Sequence, residues 1–307
     1  MDEPAEIHEG SRGAPDVRRS GHQGGFFSRY AQLSHRSPWL RKASRHLMYQ
    51  MMARFARRRD WTFMNYGYAP RPADAGTDAA LPHLETDDEP NRYCIQLYHH
   101  VVGSVDLHDR RVLEIGSGRG GGSRFLQHYY RPAAMVGVDF SKQAVRLCRR
   151  THKQAGLSFV HGDAEDLPLD PESFDVVVNV ESSHCYASMA RFVGEVTRVL
   201  RPGGHFLFAD FRPRSDLPTL DDELTRTGLS VISRHDITDN VLAALDGDNE
   251  RKVAQIHDSV DRLGFAEGWL LRLMEEFGGS PGSAIYDRFR RGETAYLSYA
   301  LVKPPLN

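Results

Sequence analysis

The chain has 307 residues, of which 40% are hydrophobic and 26% charged, with a formal net charge of −2 at neutral pH. That length suits one large domain or one domain with a helical appendage, and the near-neutral balance gives no bulk electrostatic attraction for nucleic acid. Cys94, Cys148 and Cys185 share no CxxC spacing, no apolar run approaches the ~20 residues of a bilayer span, and Asp2, Glu3, Glu6 and Glu9 crowd the N-terminus; a disulfide framework, a membrane helix and a targeting peptide are thereby disfavoured, and a soluble cytoplasmic protein is expected.

Residues 1–36, rich in Gly, Ser, Arg and His and without apolar periodicity, read as a disordered tail. From Val17 to Arg59 there are eleven Lys or Arg and no Asp or Glu. Within that stretch Leu40, Leu47, Met51 and Phe55 recur at near-helical spacing, which predicts a basic amphipathic helix. Two readings stand for it: a stripe packed on the domain with its arginines solvated, or a lid over an apolar acceptor that also rests on an anionic membrane surface. The aromatic segment FMNYGYAP (63–70) and a Pro/Asp/Ala-rich linker complete a 37–89 region.

From Pro90 the pattern changes. Residues 90–102 predict a helix with Pro90 in its first turn. Short apolar runs then alternate with helical patterns: strands at 111–115, 134–138, 157–160, 174–179 and 204–210, and helices at 121–129, 142–152 and 188–200. Such alternation predicts an α/β fold, a parallel sheet covered by helices on both faces. LRPGG (200–204) reads as the reversal into the fifth strand, with Pro202 stopping the helix and Gly203–Gly204 turning the chain. Beyond it, 218–228 reads as helix, 229–234 as extended and 236–291 as mostly helical, and TAYLSYALV (294–302) as a last strand. The expected organisation is a core of 90–235 closed by 292–307, with 236–291 inserted as an acceptor-covering subdomain.

The chemistry gathers at RVLEIGSGRGGG (111–122), a strand that ends in an acid and runs into closely spaced glycines. Turning through Gly116, Gly118 and Gly120 brings bare backbone against a ligand, because glycine tolerates positive φ and has no Cβ to clash. The following helix aims its N-terminal N–H groups the same way. Twenty-one residues after Gly118, Asp139 ends the next apolar run, where a ribose would offer its hydroxyls; Phe140 beside it could pack on a base. The glycines alone fit both the dinucleotide pattern GxGxxG and the shorter GxGxG of S-adenosylmethionine enzymes.

The downstream sequence separates the two. FVHGDAEDLP (159–168), FDVVVNVE (174–181) and TRVLRPGGHFLFADF (197–211) follow in the order seen in class I S-adenosylmethionine-dependent methyltransferases, which the chain resembles over roughly 92–212. DEPNR (88–92), NVESSHCY (179–186), AYLSY (295–299) and FMNYGY (63–68) narrow the resemblance to actinobacterial O-methyltransferases of polyketide-derived lipids and macrocycles, including the phthiotriolone dimycocerosate methyltransferase group. It implies a Rossmann-like seven-stranded sheet whose last strand inserts antiparallel, with helical lid elements. By the same resemblance Glu114, Gly116, Gly118 and Gly120 contact the amino-acid end of S-adenosylmethionine, Asp139 its ribose, and Asp163 and Ala164 its adenine. The resemblance also implies that the aromatic segment 63–68 closes over the cofactor, through Tyr66 or Tyr68.

NVESSHCY ends the fourth strand at the carboxyl edge of the sheet, where ligands collect. There Asn179 and Val180 would flank the methionine part, and His184 would stand near the methyl group as a base for a hydroxyl proton. Asp210, ending the fifth strand, would orient the imidazole, with Glu181 as a rival for that role. No convincing metal-ligand set is present. The expected activity is O-methylation of a hydrophobic small-molecule natural product, with C- or N-methylation, or a non-catalytic cofactor-binding module, as alternatives. A homodimer and peripheral membrane contact through the basic helix are further possibilities.

Overall fold

The structure, a computed structural model, describes residues 61–72, 81–103, 105–261 and 268–305. The expected tail (1–36) and basic helix lie outside the described residues.

A seven-stranded sheet forms the centre, with β1 (Arg111–Ile115), β2 (Ala134–Asp139), β3 (Leu157–His161), β4 (Phe174–Val180), β5 (Leu200–Pro213), β6 (Ser230–Asp236) and β7 (Thr294–Val302). Their order is β3-β2-β1-β4-β5-β7-β6. β7 pairs antiparallel with both β5 and β6, while the remaining pairs are parallel. Chain order reverses between β1 and β4, so their carboxyl ends open a crevice for a ligand.

The strand period of two sorts the side chains onto two apolar layers. Val112, Val176, Val178 and Leu207 face a layer supplied by α1 (Arg92–Val102) and α2 (Gly121–Tyr130). Leu113, Val177, Phe206 and Phe208 face α4 (Met189–Val199) and α5 (Leu217–Thr225). The helix α3 (Lys142–Thr151) starts at Ser141, whose Oγ accepts from the Ala144 N–H. Residues 236–291 supply α6 (Thr238–Gly247), α7 (Asn249–Asp261), α8 (Gly268–Gly278) and α9 (Ala284–Arg290). Ile256 of α7 and Met274 of α8 form a separate small cluster with Leu271 and Trp61.

One expectation needs correction. LRPGG does not precede the fifth strand but lies within it, as a bulge: Phe174 pairs with Leu200 while Val176 pairs with His205. Pro202 disfavours helical backbone at Arg201, and the helix-capping Leu200 is already extended at φ −70 and ψ 135. The strand therefore starts at once, and the bulge is pinned to the C-terminus by Gly203 N–H to Lys303 O and Lys303 N–H to Gly204 O.

Residues 61–70 form no regular element and run as a strap, bonded on several sides. The Gly121 N–H donates to Thr62 O, the Tyr68 N–H to Tyr93 O and the Ala69 N–H to Asn240 O. The Lys252 ammonium donates to Tyr66 O. No helix among the described residues is long and apolar enough to cross a membrane.

Candidate active site

Beyond β1 the chain turns with Gly116 at φ +78, Gly118 at +52 and Gly120 at +81. A Cβ on Gly116 would run into the Ser182 side chain and the Tyr186 hydroxyl. The turn is held to β2 by Gly116 and Ser117 N–H groups on Val138 O. Asp139 completes it, Oδ2 accepting from Gly118 N–H at 2.8 Å and Oδ1 from Ser141 N–H at 2.7 Å. Burial pushes this carboxyl up to about 6 against those two bonds.

A cavity of about 210 Å³ opens above the turn. Gly116, Gly118, Asp139, Phe140, Asp163, Ala164, Val180, Glu181 and His184 line it. Strap residues from Trp61 to Tyr66 and Phe277 of α8 contribute the remaining wall.

His184 lies in a short 3-10 turn, Ser183–Cys185, just beyond β4. Its Nδ1 is 2.8 Å from Asp210 Oδ1, and its main-chain N–H donates to Oδ2 at 2.9 Å. Asp210 is fully buried, and its Oδ2 also accepts from the Ser183 hydroxyl at 2.6 Å. Burial would raise the Asp210 carboxyl, but His184 and Arg212 hold it well below the usual range. Burial likewise opposes charge on His184, yet Cys185 and Asp210 beside it push the ring up to about 10. The Asp210 carboxylate at Nδ1 thus favours the protonated form of the ring. Glu181, the rival acid, bonds elsewhere: Oε2 accepts from the Tyr66 N–H at 2.9 Å and the Tyr296 hydroxyl at 3.0 Å.

Some residues expected on the ligand stand one layer back. Glu114 is 1% exposed and bonds the Tyr98 hydroxyl at 2.6 Å and the Ser123 hydroxyl. Strand alternation turns it to the side of Val112, under the glycine turn rather than into the cavity, and burial pushes it up to about 7. A Cβ on Gly120 would meet His152, Phe159 and Cys148. Asn179 is fully buried, its Nδ2 donating to Ile115 O, Ser182 Oγ and Tyr186 OH. Glu114, Gly120, Asn179 and Asp210 shape the site from behind; Gly116, Gly118, Asp139, Phe140, Asp163, Ala164, Val180, Tyr66 and His184 line it.

Other lining residues escaped the sequence reading, among them Ser117, Ser182, Tyr186 and Phe277. Ser117, Ser182 and Tyr186 sit inside the quoted motifs, but nothing in the motifs gives their orientation.

The arrangement fits S-adenosylmethionine. The positive-φ turn brings the Gly116 and Gly118 backbone into the cavity wall, and a Cβ on Gly118 would meet nothing nearer than Met64 Sδ at 3.8 Å. Ser117 Oγ, buried in the cavity wall, has no hydrogen-bond partner among the described residues. Asp139, Phe140, Ala164 and His184 all line the one cavity. Among the described residues, no three His, Cys, Asp or Glu side chains gather to hold a metal ion.

Known proteins give the same picture. Residues 113–208 match the family model described as a methyltransferase domain. The chain is 40% identical over 258 residues to the fatty-acid O-methyltransferase of Mycolicibacterium smegmatis, spanning 84% of this chain and 89% of that protein. It is also 40% identical over 255 residues to the phthiotriol/phenolphthiotriol dimycocerosates methyltransferase of Mycobacterium tuberculosis, spanning 83% and 90%. In fold it is similar to the cyclopropane synthase MmaA2 of M. tuberculosis, with a TM-score of 0.60, 16% identity, and 80% of this chain and 93% of that one covered.

Proposed function

The chain belongs to the S-adenosylmethionine-dependent methyltransferases of class I, and from that premise we propose that it methylates an oxygen of a hydrophobic, lipid- or polyketide-type small molecule. The observation that carries the proposal is the His184–Asp210 pair at 2.8 Å in the wall of the cofactor cavity. The names of the two relatives support the acceptor class, one acting on fatty acids and the other on phthiotriol dimycocerosates.

Bound S-adenosylmethionine supplies a methyl group already activated on a sulfonium. The protein's task is then to place an oxygen in line with it and to exclude water. Asp139 holds the ribose, and Phe140, Asp163 and Ala164 take the adenine. The strap residues Trp61 to Tyr66 and Phe277 of α8 line the cavity and would give the acceptor an apolar cover. Asp210 binds Nδ1 of His184 and so directs the ring's basic lone pair to Nε2. His184 sheds its extra proton against the positive charge that the cofactor brings into the same cavity, and takes the hydroxyl proton as the methyl transfers.

A second reading follows from the raised His184 value. A carboxylate acceptor needs no base, and an imidazolium would hold it by a charge-assisted hydrogen bond. The test is incubation with methyl-deuterated S-adenosylmethionine and a panel of long-chain alcohols and fatty acids, followed by mass spectrometry of the products. Ether formation with kcat rising with pH supports the base; methyl ester formation with a flat profile to about pH 10 supports the imidazolium. A label on carbon or nitrogen would overturn both.

A further inference from the structure

Glu181 is the residue that the motifs leave without a task. It sits at the first position after β4 with φ +50, a left-handed conformation that a side chain with a Cβ adopts only under constraint, and such positions concentrate at functional sites. Its main-chain N–H is fixed to Ala209 O at 2.7 Å. Its carboxyl lies between two parts of the molecule remote in sequence: Oε2 receives the Tyr66 main-chain N–H from the strap and the Tyr296 hydroxyl from β7. The Tyr66 ring stacks on Phe211 with centroids 5.6 Å apart and planes 26° apart. Phe211 in turn packs on the His184 imidazole, centroids 4.5 Å apart and planes at 30°. Phe211 directly follows Asp210, and its N–H donates to Asp210 Oδ1 at 2.8 Å.

These contacts form one continuous path from the cavity's cover to the group acting on the acceptor. We propose that Glu181 is a positioning residue for methyl transfer: it docks the strap through the Tyr66 peptide, and the docked Tyr66 ring presses Phe211 against His184 and sets the imidazole's orientation. The proposal rests on the reading that His184 acts on the acceptor oxygen, as base or as imidazolium. Tyr296 holds the carboxyl in place from the sheet side. The αL backbone is the cost of turning that carboxyl from the strand edge toward the strap, and the Ala209 bond keeps it there.

The test compares Glu181→Ala, Glu181→Gln and Phe211→Leu by amide hydrogen exchange and by steady-state kinetics. Glutamine keeps an oxygen that accepts from both donors; alanine does not. In Glu181→Ala the Tyr66 amide should exchange at least about tenfold faster than in wild type, and kcat should fall about 10–100-fold, the scale of a misplaced catalytic group, with a smaller change in KM for S-adenosylmethionine. Glu181→Gln should restore the Tyr66 protection and most of kcat. Phe211→Leu should keep Tyr66 protected yet lose kcat, because it cuts the path beyond the dock. A Tyr66 amide still protected in Glu181→Ala, or one freed with kcat unchanged, overturns the proposal. If Glu181→Ala does not fold, Phe211→Leu decides alone, and unchanged kcat there overturns it. Unchanged kcat in His184→Ala, with Tyr66 freed in Glu181→Ala, would instead remove the underlying reading and leave the docking bond standing.

Discussion

At the scale of single residues the site divides into groups that line the cavity and groups that hold them from behind. Removing a general base costs ~10²–10⁴ in rate, so His184→Ala should turn over slowly while binding S-adenosylmethionine with near-normal affinity in calorimetry. Asp210→Asn should lose less, and the double variant less than the product of the two, because the pair acts as a unit. Near-normal kcat with only a raised KM in His184→Ala would reduce the imidazole to lining. Asp139 gives a complementary outcome. Its two oxygens already accept from Gly118 and Ser141, so Asp139→Ala should weaken cofactor binding by ~1–3 kcal/mol and also loosen the glycine turn. Titration calorimetry measures the first effect, and exchange of the Gly118 amide the second.

At the scale of elements, the glycine turn depends on what it packs against. A Cβ on Gly122 would lie within the Tyr98 ring, whose hydroxyl holds Glu114. Gly122→Ala should therefore cost ~1–3 kcal/mol, as over-packing typically does, and a lowered melting temperature would show it. The sheet was legible in the sequence because short apolar runs at 111–115, 174–180 and 205–209, buried on both faces, alternate with helical patterns. Only the Leu200–Gly204 bulge escaped, where pairing rather than pattern decides the strand's start. The strap was less legible. FMNYGYAP has no periodicity, and its anchor Glu181 lies 115 residues away from Tyr66, a pairing that local pattern cannot reveal. Glu114 and Asn179 show a related limit: motif spacing places a residue beside a ligand, while strand alternation decides which way its side chain turns.

At the scale of the whole molecule, buried ionisable groups of the site shift in both directions. Glu114 is pushed up to about 7 and Glu181 to about 8, both by burial. An acid of this kind holds its proton more tightly when folded, so its contribution is full below the unfolded value near 4.5 and is lost as pH rises to the folded one. The raised His184 acts in the same direction at higher pH, losing its contribution between 6.5 and about 10. Asp210, held low, contributes above its unfolded value of 3.8 and loses that as pH falls through its lower folded value. The cofactor-free protein should thus melt highest near about pH 5 and progressively lower toward pH 9, and Glu114→Gln should flatten the part of that slope between 5 and 7. Thermal melts across that range check both. The strap has a consequence in time as well. It lines the cavity and is tied to the start of α2, the β4 edge, α1, α6 and α7, so if cofactor exchange requires the strap to open, several of these bonds must part together. Release rather than methylation should then set the steady rate, and rapid mixing of enzyme, cofactor and acceptor should show a burst of product close to one equivalent per site before the slower linear phase.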